Sequence, residues 1–177
     1  MWNIKYILTS ILAVIFSFVV HEFSHWICGE FLGYEMKMTL NTVYPALKAY
    51  DTQADYMLIS AVGPIITLIQ TVVFFLLINN SKNLYLFPFL FTSFYLQLLS
   101  GVMNFSKPND LGRISSYFDL GLFTIPILVI ILHTFLLYRA INLNQIRKKM
   151  IWITVFYVIL FSSIWILGNQ FFKIILI

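Results

Sequence analysis

The chain of 177 residues is 60% hydrophobic and only 10% charged, with a formal net charge of +4. Water-soluble domains carry about a quarter charged residues, so this composition excludes a soluble globule of this size. The few basic residues flank apolar segments, as membrane anchors do, and they do not predict a nucleic-acid partner. The single cysteine, Cys28, excludes an intrachain disulfide and a cysteine-based zinc knuckle.

Five apolar stretches are long enough to cross a bilayer, which requires about 20 residues. Because unpaired backbone groups are costly in hydrocarbon, each stretch is predicted to be a helix. The predicted fold is an all-α integral membrane protein, a multi-pass protein expected in the cell membrane. We expect one transmembrane domain over 1–177, with a motif-bearing core at 4–114 and accessory helices at 118–170. The predicted spans are Ile4–Cys28, Tyr56–Ile78, Leu84–Met103, Phe118–Tyr138 and Met150–Leu167.

The longest connection follows the first span and contains a segment of alternating character. Apolar and polar residues alternate over Tyr34–Asn41, and this period of two predicts a strand. Thr42–Tyr50 is the expected return partner, although Pro45 would confine it to an edge or a bulge. The sequence therefore predicts a short β-hairpin here, and a plain amphipathic loop at the membrane interface is the alternative.

The first span contains the run His21-Glu22-Phe23-Ser24-His25. A charge at mid-membrane costs about 2.5–3.5 kcal/mol on insertion scales, so ionisable residues there are usually functional or paired. His21 and His25 are four residues apart, which puts both imidazoles on one helix face and within reach of one metal ion. Glu22 flanks the same face and could act on a water beside the metal without being a ligand. This is the HExxH arrangement of two zinc ligands and a general base.

A single histidine in a span has a simpler explanation than metal binding. It is more often a hydrogen-bonded residue that packs one helix against another, and we interpret His133 in the fourth span in this way.

A catalytic zinc ion needs a third protein ligand and an open position for water. Asp110 is the best candidate, because it follows the third span within Asn104–Tyr117, whose proline, asparagines and glycine predict irregular backbone. Irregular backbone could aim its carboxylate inward. The alternative is a solvated loop aspartate that caps a turn. The other candidate ligands are Cys28, Glu30, Asp51, Asp55 and Asp119.

Three segments follow one another in an informative order. Val20–His25 carries the HExxH run, Ser60–Thr67 carries a Gly-Pro pair, and Asn104–Arg113 carries asparagine, proline and Asp-Leu-Gly. Together they resemble the site-2 protease family of intramembrane zinc metalloproteases (peptidase M50-like), in its minimal form. The resemblance covers about residues 16–114. It departs from the family pattern where Leu111 separates Asp110 from the glycine.

The resemblance implies a zinc-dependent endopeptidase with His21, His25 and Asp110 as ligands of Zn²⁺ and Glu22 as the general base. Its substrates would be membrane-embedded or membrane-proximal proteins, such as transmembrane or signal-peptide-like segments, cleaved in regulated intramembrane proteolysis. We hypothesise that an extended substrate pairs with the strand predicted at Tyr34–Asn41.

Two other functions are compatible with the sequence. The first is a membrane chaperone or regulator that keeps the same fold without catalysis. The second is a metal transporter, whose path His21, His25 and His133 would line. The oligomeric state is left open.

Overall fold

The computed structural model of the protein describes residues 4–47 and 49–177. Residues 1–3, at the start of the predicted domain, and Lys48, within the predicted return strand, lie outside the described residues. The described part of the chain forms six α-helices, one 3-10 turn (η1) and two short β-strands. Their bounds are α1 Ile4–Phe31, β1 Met36–Met38, β2 Val43–Pro45, α2 Gln53–Ser81, η1 Leu84–Leu86, α3 Phe87–Met103, α4 Asp110–Tyr117, α5 Thr124–Leu143 and α6 Lys148–Phe172.

Five helical segments in the described ranges are long and apolar enough to cross a membrane, namely α1, α2, η1 with α3, α5 and α6. The longest, α2, has 29 residues. At a rise of 1.5 Å per residue it extends about 44 Å, compared with a hydrocarbon core of about 30 Å. The predicted helical architecture with about five span-length helices is therefore confirmed.

The distribution of side chains is that of a bundle solvated by lipid. Large apolar side chains such as Leu8, Ile65, Leu128 and Phe156 are more than half exposed, whereas many hydroxyl and amide side chains are buried. In water this exposure would forfeit the hydrophobic effect, but lipid tails are as apolar as leucine and solvate such side chains without that loss. The pattern supports a multi-pass membrane protein.

Gln70 of α2 connects three helices in the interior of the bundle. Its Nε2 donates to Ser17 Oγ of α1 at 2.6 Å and to Ser93 Oγ of α3 at 2.7 Å. All three side chains are buried. Because helices in lipid lack a hydrophobic driving force between them, such polar contacts and close packing hold them together. Gln70 therefore fixes the position of α2 between α1 and α3.

The segment after α3 differs from the prediction of irregular backbone through Tyr117, which was wrong over its second half. Only residues 104–109 are irregular, and helix α4 begins at Asp110. Asn104 Oδ1 accepts the Asn109 N–H at 2.7 Å and sets the entry into α4. Gly112 lies inside the helix, where a Cβ atom would overlap the Asn104 side chain. The glycine therefore serves close packing here, rather than the turn that its presence indicated.

The fourth span also begins later than predicted, at Thr124 rather than at Phe118. Asp119 and Gly121 have φ angles of 55° and 80°, in the left-handed region, so the chain cannot continue as a helix from Phe118. The Ser115 hydroxyl donates to the Gly121 carbonyl and closes this turn. Residues 118–123 thus form a connection between α4 and α5.

The predicted β-hairpin after the first span is present. β1 pairs with β2 in antiparallel register, with Met36 opposite Pro45 and Met38 opposite Val43. The alternation that predicted the strand also appears in burial, since one face of the segment is covered by the bundle. The buried apolar side chains of that face are Tyr34, Met36, Met38 and Leu40.

We expect Gln70→Leu to lower the free energy of unfolding by about 1 kcal/mol, because the variant loses both hydrogen bonds to the serines at similar side-chain volume. The measurement is unfolding of the purified protein in mixed detergent. Ile69→Leu is the matched control, since Ile69 is half exposed next to Gln70 and the change keeps its volume. Equal stability of the two variants would contradict the bridging role of Gln70.

Candidate metal centre

His21 and His25 lie on the buried face of α1, one helical turn apart. Their side chains are buried, and their ring centroids are 4.8 Å apart. The two Nε2 atoms face one another at 3.2 Å. The helix therefore brings two imidazole nitrogens to one point inside the bundle, as the four-residue spacing predicts.

Asp110, the first residue of α4, brings its carboxylate to the same point. Its Oδ2 lies 3.4 Å from His21 Nε2 and 3.5 Å from His25 Nε2. These three side chains form a group whose ligand atoms all lie within 4.8 Å of one another, so they could hold a metal ion. It is the one such group of His, Cys, Asp and Glu found in residues 4–47 and 49–177. The structure thus brings together the three predicted ligands, whose role in binding zinc stays a prediction.

The distances within this group match the requirements of a tetrahedral zinc site. Two ligand atoms at 2.0–2.1 Å from zinc that subtend the tetrahedral angle are separated by about 3.3 Å. The three observed separations are 3.2, 3.4 and 3.5 Å. Two imidazoles and one carboxylate are also a donor set used by catalytic zinc sites, which leave a fourth position open. The residues therefore fit zinc in number, type and spacing.

Hydrogen bonds to the far side of each imidazole fix its tautomer. His25 Nδ1 lies 2.5 Å from the Ile59 carbonyl oxygen, which can only accept. His21 Nδ1 lies 2.8 Å from Thr67 Oγ1, whose own proton goes to the Gly63 carbonyl at 2.9 Å. Both Nδ1 atoms therefore carry a proton, and both Nε2 atoms point to the centre. Histidines that bind a metal are commonly oriented in this way, by an acceptor for the N–H of their other ring nitrogen.

With this assignment of protons, the centre of the group contains electron-rich atoms and no positive charge. The Nε2 lone pairs of His21 and His25 face each other and the carboxylate of Asp110 at hydrogen-bond distance, with no proton of their own to share. Such a convergence is repulsive unless a cation or an added proton lies among the three atoms. A divalent metal ion would satisfy all three at once.

The histidines have room because α2 presents a glycine to them. A Cβ atom built on Gly63 would overlap the His25 imidazole and touch that of His21. Pro64 follows directly and, within the helix, provides no N–H for the Ser60 carbonyl. The Gly-Pro pair thus marks the point where α2 comes closest to the metal-binding face of α1.

The position of Asp110 depends on Arg113, one turn further along α4. Arg113 Nη2 donates to Asp110 Oδ1 at 2.5 Å, and Nη1 donates to the Tyr56 hydroxyl. The guanidinium also lies over the Tyr56 ring, 4.9 Å from its centroid. One oxygen of Asp110 is therefore held by Arg113 while the other faces the histidines.

The electrostatic environment keeps this carboxylate ionised. Burial alone would raise the pKa of Asp110. When no metal ion is bound, a proton added to the histidine pair takes the place of the cation, and its charge and hydrogen bonds outweigh burial and hold that pKa well below its ordinary value. Conversely, burial would lower the pKa of Arg113, and the charge of Asp110 raises it instead. The two side chains form an ion pair in which Asp110 is available as a negatively charged ligand.

Glu22 lies beside the group without belonging to it. Its side chain is 9% exposed, and it interacts electrostatically with His21, His25, Asp110 and Arg113. The predicted base is therefore a buried residue of α1 that directly follows His21 and lies within electrostatic range of the group. Its catalytic role stays a prediction.

The other candidate ligands lie outside the metal-binding group. Glu30 Oε1 accepts the Met36 N–H at 2.8 Å, and Asp55 Oδ2 accepts the Tyr34 hydroxyl at 2.8 Å. Cys28 is a half-buried free thiol. The remaining two candidates are Asp51, whose N–H donates to the Tyr34 hydroxyl, and Asp119, which is exposed in the turn before α5.

His133 is fully buried in α5, and its Nδ1 donates to the Val129 carbonyl one turn earlier at 2.9 Å. It does not belong to the metal-binding group. This agrees with its interpretation as a helix-packing residue.

Sequence reasoning missed the residues that orient the group. Thr67 and Arg113 were inside the recognised segments but had no role assigned to them. The available signals were spacings: Thr67 follows Gly63 by one helical turn, and Arg113 follows Asp110 by three residues, within side-chain reach on a helix. The carbonyl of Ile59 had no signal, since a backbone acceptor is not visible in side-chain chemistry.

Comparison of the chain with family models, with curated proteins and with solved structures found no match. Fold and site together define a helical protein with five span-length segments and a buried two-histidine, one-aspartate group that could hold a metal ion.

Thr67→Val should lower zinc affinity by about 10- to 100-fold, because His21 Nδ1–H loses its acceptor and the ring loses its fixed orientation. Thr67→Ser retains the hydroxyl and serves as the control. Competition with a chromogenic chelator measures both affinities in detergent. If the valine variant binds zinc as tightly as the serine variant, the hydroxyl does not orient His21.

Gly63→Ala should abolish zinc binding, since the added methyl group would take space that His25 and His21 occupy. The matched control is Gly101→Ala, where a Cβ atom would come too close only to the tip of the flexible Ile130 side chain. Zinc per chain is measured by plasma mass spectrometry, with circular dichroism as a check on folding. A folded Gly63→Ala protein with one zinc per chain would contradict the close approach.

Proposed function

We propose that the protein is a zinc-dependent intramembrane endopeptidase. The observation that carries the proposal is the convergence of His21, His25 and Asp110 from two separate helices, with Glu22 beside them. A structural zinc site would use four protein ligands, whereas this group has three, as hydrolytic zinc sites do. A metal-assisted hydrolase explains both the three-ligand group and the adjacent carboxylate.

In the proposed reaction, different residues bind the metal, orient the ligands and transfer the proton. When bound, zinc would act as a Lewis acid and lower the pKa of water toward about 7. His21, His25 and Asp110 would hold it, and their own partners Thr67 and Arg113 would keep their orientation. The Glu22 carboxylate would receive the proton of the attacking water and return it to the leaving amine nitrogen of the cleaved peptide bond.

The environment of the group suits hydrolysis within a bundle. The side chains of His21, His25 and Asp110 are 10%, 7% and 12% exposed, so they are enclosed but keep some accessible surface. An enclosed site strengthens electrostatic interactions with a polarised carbonyl. The substrate peptide would have to be extended, since a helix engages its carbonyls in internal hydrogen bonds.

The class of substrate follows from the location of the site. The two histidines of the group lie on α1 beside α2, and both helices are long and apolar enough to span a membrane. Peptide segments that reach it would be transmembrane or signal-peptide-like, which agrees with the resemblance of the three motif segments to the site-2 protease family. We place the protein in the cell membrane on the same grounds.

The described geometry favours this proposal over metal transport. A single metal site built from all three histidines would need His133 within ligand distance of the other two. Its Nδ1 is instead engaged by the Val129 carbonyl, and it lies outside the metal-binding group. A non-catalytic chaperone would have no chemical use for Glu22.

Glu22→Gln is expected to lower peptide cleavage by about 10²- to 10⁴-fold, the usual contribution of a general base, and to retain zinc. The assay uses proteoliposomes with a reporter that carries a signal-peptide segment, and zinc content is measured in parallel. The matched control is Glu35→Gln, because Glu35 is exposed in the hairpin. Undiminished cleavage by Glu22→Gln would exclude the proteolytic mechanism. Zinc flux across the vesicles without cleavage would favour a transporter.

A further inference from the structure

Strand β1 has two edges, and β2 covers only one of them. The Thr39 N–H donates to the Thr42 carbonyl at 2.9 Å, and the Glu35 carbonyl accepts the Ala46 N–H at 2.7 Å. Backbone groups of successive residues in a strand point to opposite edges. The N–H and C=O groups of Met36 and Met38 therefore point to the second edge, away from β2.

At Met36 this second edge is closed by α1. The Met36 N–H donates to Glu30 Oε1 at 2.8 Å, and the Met36 carbonyl accepts Trp26 Nε1–H at 3.2 Å. Both partners are side chains of the helix that carries the histidines, and Trp26 directly follows His25. The second edge of β1 is therefore attached to the metal-binding helix.

At Met38 the same edge is closed by residues 174–177, the segment after α6. The Met38 N–H donates to the Ile177 carbonyl at 3.0 Å, and the Leu176 N–H donates to the Met38 carbonyl at 2.8 Å. Thr39 and Ile175 form an antiparallel bridge. The segment Ile-Ile-Leu-Ile thus lies on β1 as a short added strand.

The segment is directed to this position by the end of α6. Lys173 has a left-handed φ of 47°, and its N–H donates to the Asn169 carbonyl, so the helix ends there and the chain turns. The Asn169 side chain donates to Thr39 Oγ1 at 3.1 Å, and Trp165 Nε1 donates to the Leu40 carbonyl at 2.7 Å. The end of α6 is therefore fastened beside β1.

The segment itself is held chiefly through its backbone. The side chains of residues 174–177 are 40–57% exposed, so they are not enclosed by the bundle. Segments with few buried contacts and exposed hydrogen bonds open at the lowest free energy in a structure. A peptide with the same backbone hydrogen bonds could therefore replace this segment.

The outer edge of β2 is a poorer place for a peptide to pair. Because Tyr44 pairs with Lys37 of β1, the backbone groups of Val43 and Pro45 point outward. Proline has no N–H to donate, and it blunts the edge on which it lies. The edge at Met38 has both a donor and an acceptor, and it already holds an extended peptide.

We propose that the Met38 edge of β1 is a binding surface for an extended apolar peptide, and that residues 174–177 are its resident occupant. An incoming peptide must displace these residues, so the chain limits access to its own edge strand. The identification of the incoming peptide as the protein's substrate rests on the proposed function. The binding of a peptide at this edge does not depend on that function. The hypothesis that a substrate pairs with this strand is thereby modified, since the edge is occupied.

The first experiment measures binding without cleavage. A fluorescein-labelled peptide containing Lys-Ile-Ile-Leu-Ile, the sequence of residues 173–177, is titrated in detergent into the Glu22→Gln chain, and into the same chain with residues 174–177 deleted. A tethered segment competes at an effective concentration of about 1 mM. If the segment and the peptide each bind the free edge with a Kd of about 0.1 mM, removal of this competitor should tighten binding of the peptide by about tenfold. A peptide with proline in place of its leucine lacks the N–H that makes the shorter hydrogen bond to the Met38 carbonyl and should bind more weakly.

A point variant provides a test that does not shorten the chain. The Met38 carbonyl accepts the Leu176 N–H at 2.8 Å and the Ile177 N–H at 3.4 Å. Leu176→Pro removes the shorter of these hydrogen bonds and should weaken the resident strand, whereas Leu176→Ala keeps it. The proline variant should raise peptide binding severalfold, and more than the alanine variant does. Zinc content of each variant shows whether the metal centre is intact.

The outcomes separate this proposal from the proposed function. Equal peptide binding with and without residues 174–177, or no binding in either case, would overturn the role of the edge even if the native chain cleaves peptides. If the deletion tightens peptide binding but the native chain cleaves no peptide, the edge is a binding surface and the proposed protease activity is excluded. If both proposals hold, the deletion in the chain with Glu22 should also raise the cleavage rate at low substrate concentration.

Discussion

The close approach of α1 and α2 at Gly63 is the constraint on which the rest of the site depends. Without a side chain at this position, α2 can offer its backbone and Thr67 directly to the two imidazoles. Each histidine therefore finds an acceptor for its Nδ1 proton without water. In lipid an unpaired imidazole N–H would be costly, so this contact makes two histidines tolerable in a spanning helix. It also directs both Nε2 atoms to a single point.

The third member of the group comes from a part of the chain outside the five span-length helices. α4 is too short to cross a membrane, and its role is to deliver Asp110 from the connection between α3 and α5. Asn104 fixes the entry to α4, and Arg113 holds one oxygen of the carboxylate. The aspartate is thus oriented by neighbours within nine residues, while the histidines are oriented by a different helix. The two parts share one support, because Arg113 is held by Tyr56 of α2, the same helix that orients the histidines.

Much of this arrangement could be predicted from the sequence, because its signals are local. The apolar runs predicted the five span-length helices, and the four-residue spacing of His21 and His25 predicted that both lie on one helix face. Alternation gave the hairpin. The start of α5 was predicted too early, because the turn before it depends on a left-handed backbone angle at Asp119 that a non-glycine residue rarely adopts. α4 was missed because a glycine such as Gly112 usually signals a turn. Here Gly112 instead makes room inside the helix for the Asn104 side chain, a contact that the sequence does not show.

The long-range contacts around the hairpin were beyond any local signal, and they connect it to the metal centre by a second route. The Tyr34 and Tyr50 rings meet edge to face at 5.3 Å, and Tyr50 stacks on Tyr56 at 4.9 Å. Tyr56 in turn contacts Arg113, which holds Asp110. Burial raises the pKa of Tyr50 to about 12, so its hydroxyl stays neutral within this stack.

The hairpin is therefore attached to both halves of the metal-binding group. Trp26 bonds Met36 at the edge of β1 and directly follows His25 in α1, while the tyrosines lead from the start of β1 to Asp110. On the histidine side, β1 contacts α1 directly. On the aspartate side, the rings of Tyr34, Tyr50 and Tyr56 and the Arg113 guanidinium lie between the hairpin and Asp110. These contacts join the strand whose second edge holds residues 174–177 to both sides of the metal-binding group.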